Sequence, residues 1–146
     1  MSSPASVFRA GATALITGSA SGVGLAVAKL CASHSMNLIL VDNNTSKLDE
    51  ARSTLSSSSK GSVESHSMDV SSISDWSNLK SSVESSGKKL DFLHLNAGIG
   101  LKSDWTDNAY FHKIMDVKYV NIGRTRPIPK KLLETVGFAA PSSSGR

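Results

Sequence analysis

The stretch Thr17-Gly18-Ser19-Ala20-Ser21-Gly22-Val23-Gly24 decides the reading of this chain. It follows a short apolar run, Ala14-Leu15-Ile16, and opens onto Leu25-Ala26-Val27-Ala28-Lys29-Leu30. That order predicts a strand, a glycine turn and a helix. Glycine reaches backbone conformations that a Cβ forbids, and it lets the backbone approach a ligand closely. The helix N-terminus behind the turn offers free N–H groups and the positive end of the helix dipole. Together these favour an anion such as a pyrophosphate. The turn therefore reads as a dinucleotide site, with Gly18, Ser19, Ser21, Gly22, Val23 and Gly24 as candidate binding residues. The competing reading is a tight turn with no ligand.

Working outward, Ala12–Thr17 is the predicted first strand and Val23–Ser33 the first helix. Asn37–Val41 is a continuous apolar run, as expected of a strand covered on both faces. Asn44 or Thr45 can cap a second helix carrying Leu48, Ala51 and Leu55 at helical spacing. Val63–Met68 is a weaker third strand. Ser71 or Ser72 can cap a third helix bearing Ile73, Trp76, Leu79 and Val83, closed by Gly87. Leu90–Leu95 is the fourth strand. Strands alternating with helices of crossover length predict an α/β fold with a parallel, doubly wound sheet.

In that fold ligands bind beyond the carboxyl ends of the strands. Those ends carry the glycine turn, Asp42, Asp69-Val70 and Asn96-Ala97-Gly98. Asp42 lies eighteen residues after Gly24. A carboxylate there can accept hydrogen bonds from the adenosine ribose hydroxyls and would repel a 2′-phosphate. Asn43 follows where an arginine would favour the phosphorylated cofactor, so NAD is preferred over NADP. A helix cap or a solvated loop acid is the alternative role for Asp42. Asp69 can accept from the adenine amino group and Val70 can contact the ring, although Asp69 can equally cap the next helix. Asn96, Ala97 and Gly98 let a cofactor lie against the backbone, and Asn96 can tie neighbouring strands together.

At 146 residues the chain is one domain at most. We expect a loose N-terminus over residues 1–11 and a single, incomplete dinucleotide-binding domain over 12–146, poorly determined after residue 118. Cys31, alone, excludes an internal disulfide and belongs to a helical apolar stretch as a small core residue. His34, His66, His94 and His112 have no ligand spacing, so no metal site is expected. The formal net charge is +4. Eight basic and eight acidic residues precede Lys102, and eight basic and four acidic follow from it, so the excess is all in the last part. That part lacks aromatic interleaving and any nucleic-acid motif, and reads as a solvated tail. No apolar run approaches a membrane span. We expect a cytoplasmic protein with no nucleic-acid or membrane partner.

Beyond Leu101 the pattern weakens. Tyr110–Tyr119 can be helical, with Phe111, Ile114, Met115 and Tyr119 on one face. Pro127 and Pro129 then interrupt it. A short helix over Lys130–Val136 and a strand beginning at Phe138-Ala139-Ala140 are the remaining expectations.

Thr17–Gly24 resembles the Thr-Gly-x-x-x-Gly-x-Gly motif of the short-chain dehydrogenases/reductases. Asp42, Asp69-Val70 and Asn96-Ala97-Gly98 are similar to that family in order and spacing. The resemblance implies a Rossmann-type fold, a nicotinamide cofactor, and hydride transfer to or from an alcohol or carbonyl. It covers the N-terminal, cofactor-binding part of the family. The family's proton transfer uses a Ser-Tyr-Lys set supported by an Asn, in which the lysine lowers the tyrosine pKa. Here Tyr110 and Tyr119 are followed four residues later by Ile114 and Gly123, so Tyr-x-x-x-Lys is absent, and Lys118 stands where the Asn is expected. Ser142 or Ser143 can match the serine. The expectation is a C-terminally truncated member that keeps its cofactor half and lacks activity alone, with no catalytic residue assigned. The alternative is a non-catalytic NAD-binding regulatory or dimerisation module, forming a homo-oligomer or pairing with a full-length relative. A third reading, an active enzyme with Lys118 or His112 as acid/base, requires chemistry that the family does not use.

Overall fold

The computed structural model describes residues Ser6–Gly98. Four strands and three helices alternate: β1 Thr13–Thr17, α1 Gly22–Ser33, β2 Asn37–Asp42, α2 Thr45–Ser58, β3 Val63–Ser67, α3 Ile73–Ser85 and β4 Phe92–Leu95. The strands form one parallel sheet in the order β3-β2-β1-β4. Thr13 pairs with Asn37, Ala14 with Phe92, and Leu38 with Val63. The Rossmann-type α/β fold expected from the sequence is thus present.

Strand alternation divides the core into two layers. Ala14, Ile16, Leu38 and Leu40 point to one face, where Ala28, Cys31 and Ala32 of α1 and Leu48 and Leu55 of α2 cover them. Leu15, Ile39 and Val41 point to the other, covered by Trp76 and Leu79 of α3. Leu38 through Val41 are all buried, which is why β2 reads as an unbroken apolar run. β3 is the edge strand and only half-buried, which explains its weaker, mixed sequence VESHS.

Local chemistry sets the ends of the helices. Asn44 caps α2, its side chain accepting the Lys47 N–H at 3.1 Å, and Ser72 caps α3 by accepting the Asp75 N–H at 3.2 Å. The end of α1 is a Schellman turn: the Met36 N–H reaches the Cys31 carbonyl and the Ser35 N–H the Ala32 carbonyl. Ser35 there adopts φ +57°, the left-handed region.

The fourth strand begins at Phe92, two residues later than expected, and Asp91 just before it serves another purpose. The Asp91 carboxylate accepts the Thr13 N–H at 3.0 Å and one Arg9 N–H at 3.3 Å. The Thr13 N–H bond, with help from the Arg9 charge and against the effect of desolvation, lowers the Asp91 pKa. Arg9 belongs to a terminal stretch that the sequence marks as loose. Phe8 packs against the core there, with its ring centroid 5.3 Å from that of Phe92. Burial of an aromatic ring holds Ser6–Gly11 to the sheet. Residues 1–5, and the elements expected beyond Gly98 (the helices over Tyr110–Tyr119 and Lys130–Val136 and the strand at Phe138), lie outside the described residues.

Candidate functional site

The carboxyl ends of β1, β2, β3 and β4 meet at one edge of the sheet and surround a cavity of about 440 Å³. This volume is within the range of small-molecule sites. The glycine turn forms its floor on the β1 side. Gly18 has φ +65°, and a Cβ built on it would lie 2.9 Å from Asn96 Nδ2 and 3.0 Å from Ala97 Cα. Both the conformation and the crowding require glycine at this position. Gly24 is buried in α1, where a Cβ would overlap the Gly18 carbonyl. The last glycine of the motif is therefore a packing residue that lets the helix close on the turn.

Ser19 is likewise internal. It is fully buried, and both its N–H and its hydroxyl donate to the Val41 carbonyl at 3.2 Å. Ser19 and Gly24 are thus placed behind the cavity wall, whereas Gly18, Ser21, Gly22 and Val23 line it. Sequence reasoning grouped all six together because spacing does not reveal which way a turn residue points.

The N-terminus of α1 begins at this wall. Ser21 is its N-cap residue, but no side chain hydrogen-bonds there, and the first turn has no acidic residue. By contrast α2 and α3 are capped by side chains. The first N–H groups of α1 have no partner within the helix and face an open cavity.

Asp42 closes the site on the β2 side. Its Oδ2 accepts the Ala20 N–H at 3.0 Å and its Oδ1 the Asn44 N–H at 3.0 Å. Asp42 thus holds the glycine turn and the start of α2 in place, and the cap of α2 is Asn44. Each carboxylate oxygen retains a further lone pair for a ligand hydroxyl. Asn43 lines the cavity beside it.

Asp69 and Val70 follow β3. Asp69 Oδ1 accepts from the Ser71 N–H at 2.9 Å and the Ser71 hydroxyl at 2.6 Å, while the Asp69 N–H donates to Asp75 Oδ2. The helix cap that competed for Asp69 belongs to Ser72 instead. Val70 lines the cavity while mostly buried over Trp76, whose Nε1 donates to the Val70 carbonyl at 2.8 Å.

Asn96-Ala97-Gly98 complete the wall beyond β4. Asn96 Nδ2 donates to the Gly18 carbonyl at 3.3 Å, and the Ala97 N–H donates to the buried Thr17 Oγ1 at 3.0 Å. These bonds tie the end of β4 to the end of β1, as expected of the Asn. All three residues line the cavity.

Sequence reasoning did not place Ala20, Asn44, Lys47 or Met68 at the site, and they also line the cavity. For Lys47 a signal existed: it is three residues after a predicted cap at this same edge. Burial pushes the Cys31 thiol pKa up, consistent with an inert core residue. Among the described residues no group of three or more His, Cys, Asp or Glu side chains could hold a metal ion, and no helix is long and apolar enough to cross a membrane.

The arrangement matches known proteins. Residues 12–123 match the family model of the short chain dehydrogenases. Among solved structures, L-sorbose reductase from Gluconobacter frateurii, complexed with NADPH and L-sorbose, is 29% identical with a TM-score of 0.69. The match covers 80% of this chain and 46% of that one. A short chain dehydrogenase/reductase from Burkholderia phymatum in complex with NAD is 30% identical with a TM-score of 0.68, over 79% of this chain and 41% of that one. A short chain dehydrogenase from Mycobacterium smegmatis is 28% identical with a TM-score of 0.71, over 80% and 50%. This chain therefore spans about half the length of these structures or less. A search of curated proteins finds no match. With the family model matched over most of its length, the chain belongs to the short-chain dehydrogenase family.

Proposed function

We propose that this chain binds a nicotinamide dinucleotide, NAD in preference to NADP, and supplies the cofactor-binding half of an NAD(P)-dependent oxidoreductase. One observation carries the proposal. The uncapped N-terminus of α1, the Asp42 carboxylate and Asn96-Ala97-Gly98 all border the same cavity. The residues fit the group chemically. The N–H groups of Gly22 and Val23 and the helix dipole would hold the pyrophosphate. Asp42 would accept from the adenosine ribose hydroxyls, with Asn43 beside it, and its charge disfavours a 2′-phosphate. Asp69 and Val70 would flank the adenine. Ser19 and Gly24 shape the turn from behind. The comparisons support a nicotinamide cofactor in both forms, since one neighbour is described with NADPH and another with NAD.

When bound, the dinucleotide carries the hydride exchanged with an alcohol or carbonyl. The chain's own part is to bind the pyrophosphate and orient the cofactor. The 146 residues contain no Tyr-x-x-x-Lys pair, so the proton that accompanies the hydride has no assigned carrier here. The reading is thus one of binding. Titration calorimetry of the full chain with NAD tests it. Saturable binding near one equivalent is expected, and folded protein that takes up no NAD would overturn it.

A further inference from the structure

We propose that Asp75 and Trp76, in the first turn of α3, are positioning residues that hold Asp69 and Val70 where they discriminate the adenine base; this rests on the cofactor reading above. The wall formed by Asp69 and Val70 needs such support, because β3 is the edge strand and pairs only with β2 among the described residues. A bond from the Met68 N–H to the Asp42 carbonyl, at 3.0 Å, extends that pairing past the end of β3. Beyond it the backbone is held from α3 and its cap. Asp75 Oδ2 accepts the Asp69 N–H at 3.0 Å, and the Asp69 carbonyl accepts the Ser72 N–H at 3.0 Å. Trp76 Nε1 donates to the Val70 carbonyl at 2.8 Å, and this bond is buried.

Trp76 also supports the wall through packing. It is buried and shares one apolar cluster with Met68 and Val70, both of which line the cavity. Neither Asp75 nor Trp76 lines the cavity itself, so both act through Asp69 and Val70. The consequence is base selectivity. A carboxylate fixed opposite the adenine amino group accepts from it. Hypoxanthine carries a carbonyl oxygen in that place, and the fixed carboxylate then faces a second acceptor. A carboxylate able to shift would turn instead to the ring N–H of hypoxanthine. Discrimination between the two bases therefore depends on how firmly α3 holds the wall, and the indole N–H and the Asp75 carboxylate are the side-chain groups that hold its backbone.

The test is titration of the full chain and its Trp76→Phe, Asp75→Ala and Asp75→Asn variants with NAD and with nicotinamide hypoxanthine dinucleotide. The wild-type chain should prefer NAD. Trp76→Phe keeps an aromatic ring and loses the donor, and Asp75→Ala loses the acceptor. Loss of one hydrogen bond should lower the preference for NAD about fivefold in each. Asp75→Asn retains a side-chain carbonyl for the Asp69 N–H and should keep most of the wild-type preference. Asp75 is only half-buried, so Asp75→Ala carries the test if Trp76→Phe does not fold. A merely structural role weakens both dinucleotides equally. An unchanged preference in Trp76→Phe and Asp75→Ala therefore overturns the inference, as does a wild-type chain that binds NAD and the analogue equally; both results leave the cofactor reading intact. Failure of the wild-type chain to bind either dinucleotide overturns both.

Discussion

The Asp42 carboxylate accepts the Ala20 N–H at 3.0 Å, joining the end of β2 to the middle of the glycine turn. The bond spans 22 residues of sequence and fixes the turn from the strand that would also hold the ribose. On the proposed reading Asp42 would have two tasks, and they can be separated. Asp42→Ala removes charge-assisted bonds to Ala20 and Asn44 and should lower stability by about 1.5 kcal/mol, measured by urea unfolding. It also removes the negative charge nearest a 2′-phosphate, so the NADP-to-NAD affinity ratio should rise about tenfold. A fall in stability with no change of ratio would make Asp42 a scaffold residue only.

Gly24 tests whether the helix must close on the turn. A Cβ there would overlap the Gly18 carbonyl, and backbone cannot move aside as a flexible side chain can. Gly24→Ala should cost about 3 kcal/mol, at the upper end for overpacking. NAD binding should weaken even in the fraction that remains folded, because the N–H groups of α1 shift. Circular dichroism melts alongside calorimetry check this, and a variant with wild-type melting and affinity would refute the close packing.

The balance between legible and hidden features follows from range. Apolar runs and helical spacing are local, and they located every strand and helix among the described residues to within two residues. The common edge of Gly18, Asp42, Val70 and Asn96 follows from parallel topology, so it too could be anticipated. Two choices left open locally, Asn44 against Thr45 and Ser72 against Ser71, depend on which side chain reaches back to an N–H. The inward turn of Ser19 depends on the Val41 carbonyl, 22 residues away. The link from Asp91 to Thr13 spans 78 residues and leaves no periodic trace. The same holds for Phe8 on Phe92, which makes part of the terminal stretch structural.

Asp91 gives the fold a pH dependence of known sign. Its folded pKa lies below its unfolded value of about 4, because the carboxylate form accepts the Thr13 N–H and faces Arg9. The unfolded chain then binds the proton first as pH falls. The contribution of Asp91 is fully present above about pH 4 and is lost as pH drops through the folded pKa. Asp91→Asn should therefore be destabilised at neutral pH and should lose stability less steeply than wild type below about pH 4. Urea midpoints measured across that range decide it, and parallel pH profiles would show that Asp91 contributes nothing through its charge.

Ser35 offers a change in the opposite direction. It occupies the C′ position of the Schellman turn that ends α1, with φ +57°, where a Cβ is unfavourable and glycine is the usual residue. The turn is held on both sides by the N–H groups of Ser35 and Met36, and Met36 is fully buried behind it, so the backbone cannot relax out of the left-handed region. Ser35 itself is half-buried, so the small packing of its side chain that glycine would lose offsets part of the gain. Ser35→Gly frees the folded state of this strain, while glycine also makes the unfolded chain more flexible and returns part of the gain. The net effect should be a stabilisation of about 0.5 kcal/mol, seen as a rise of a few degrees in Tm. Ser35→Ala keeps the Cβ and should show no such gain. Because the turn lies at the end of α1 opposite the cavity, NAD affinity should be the same in both variants.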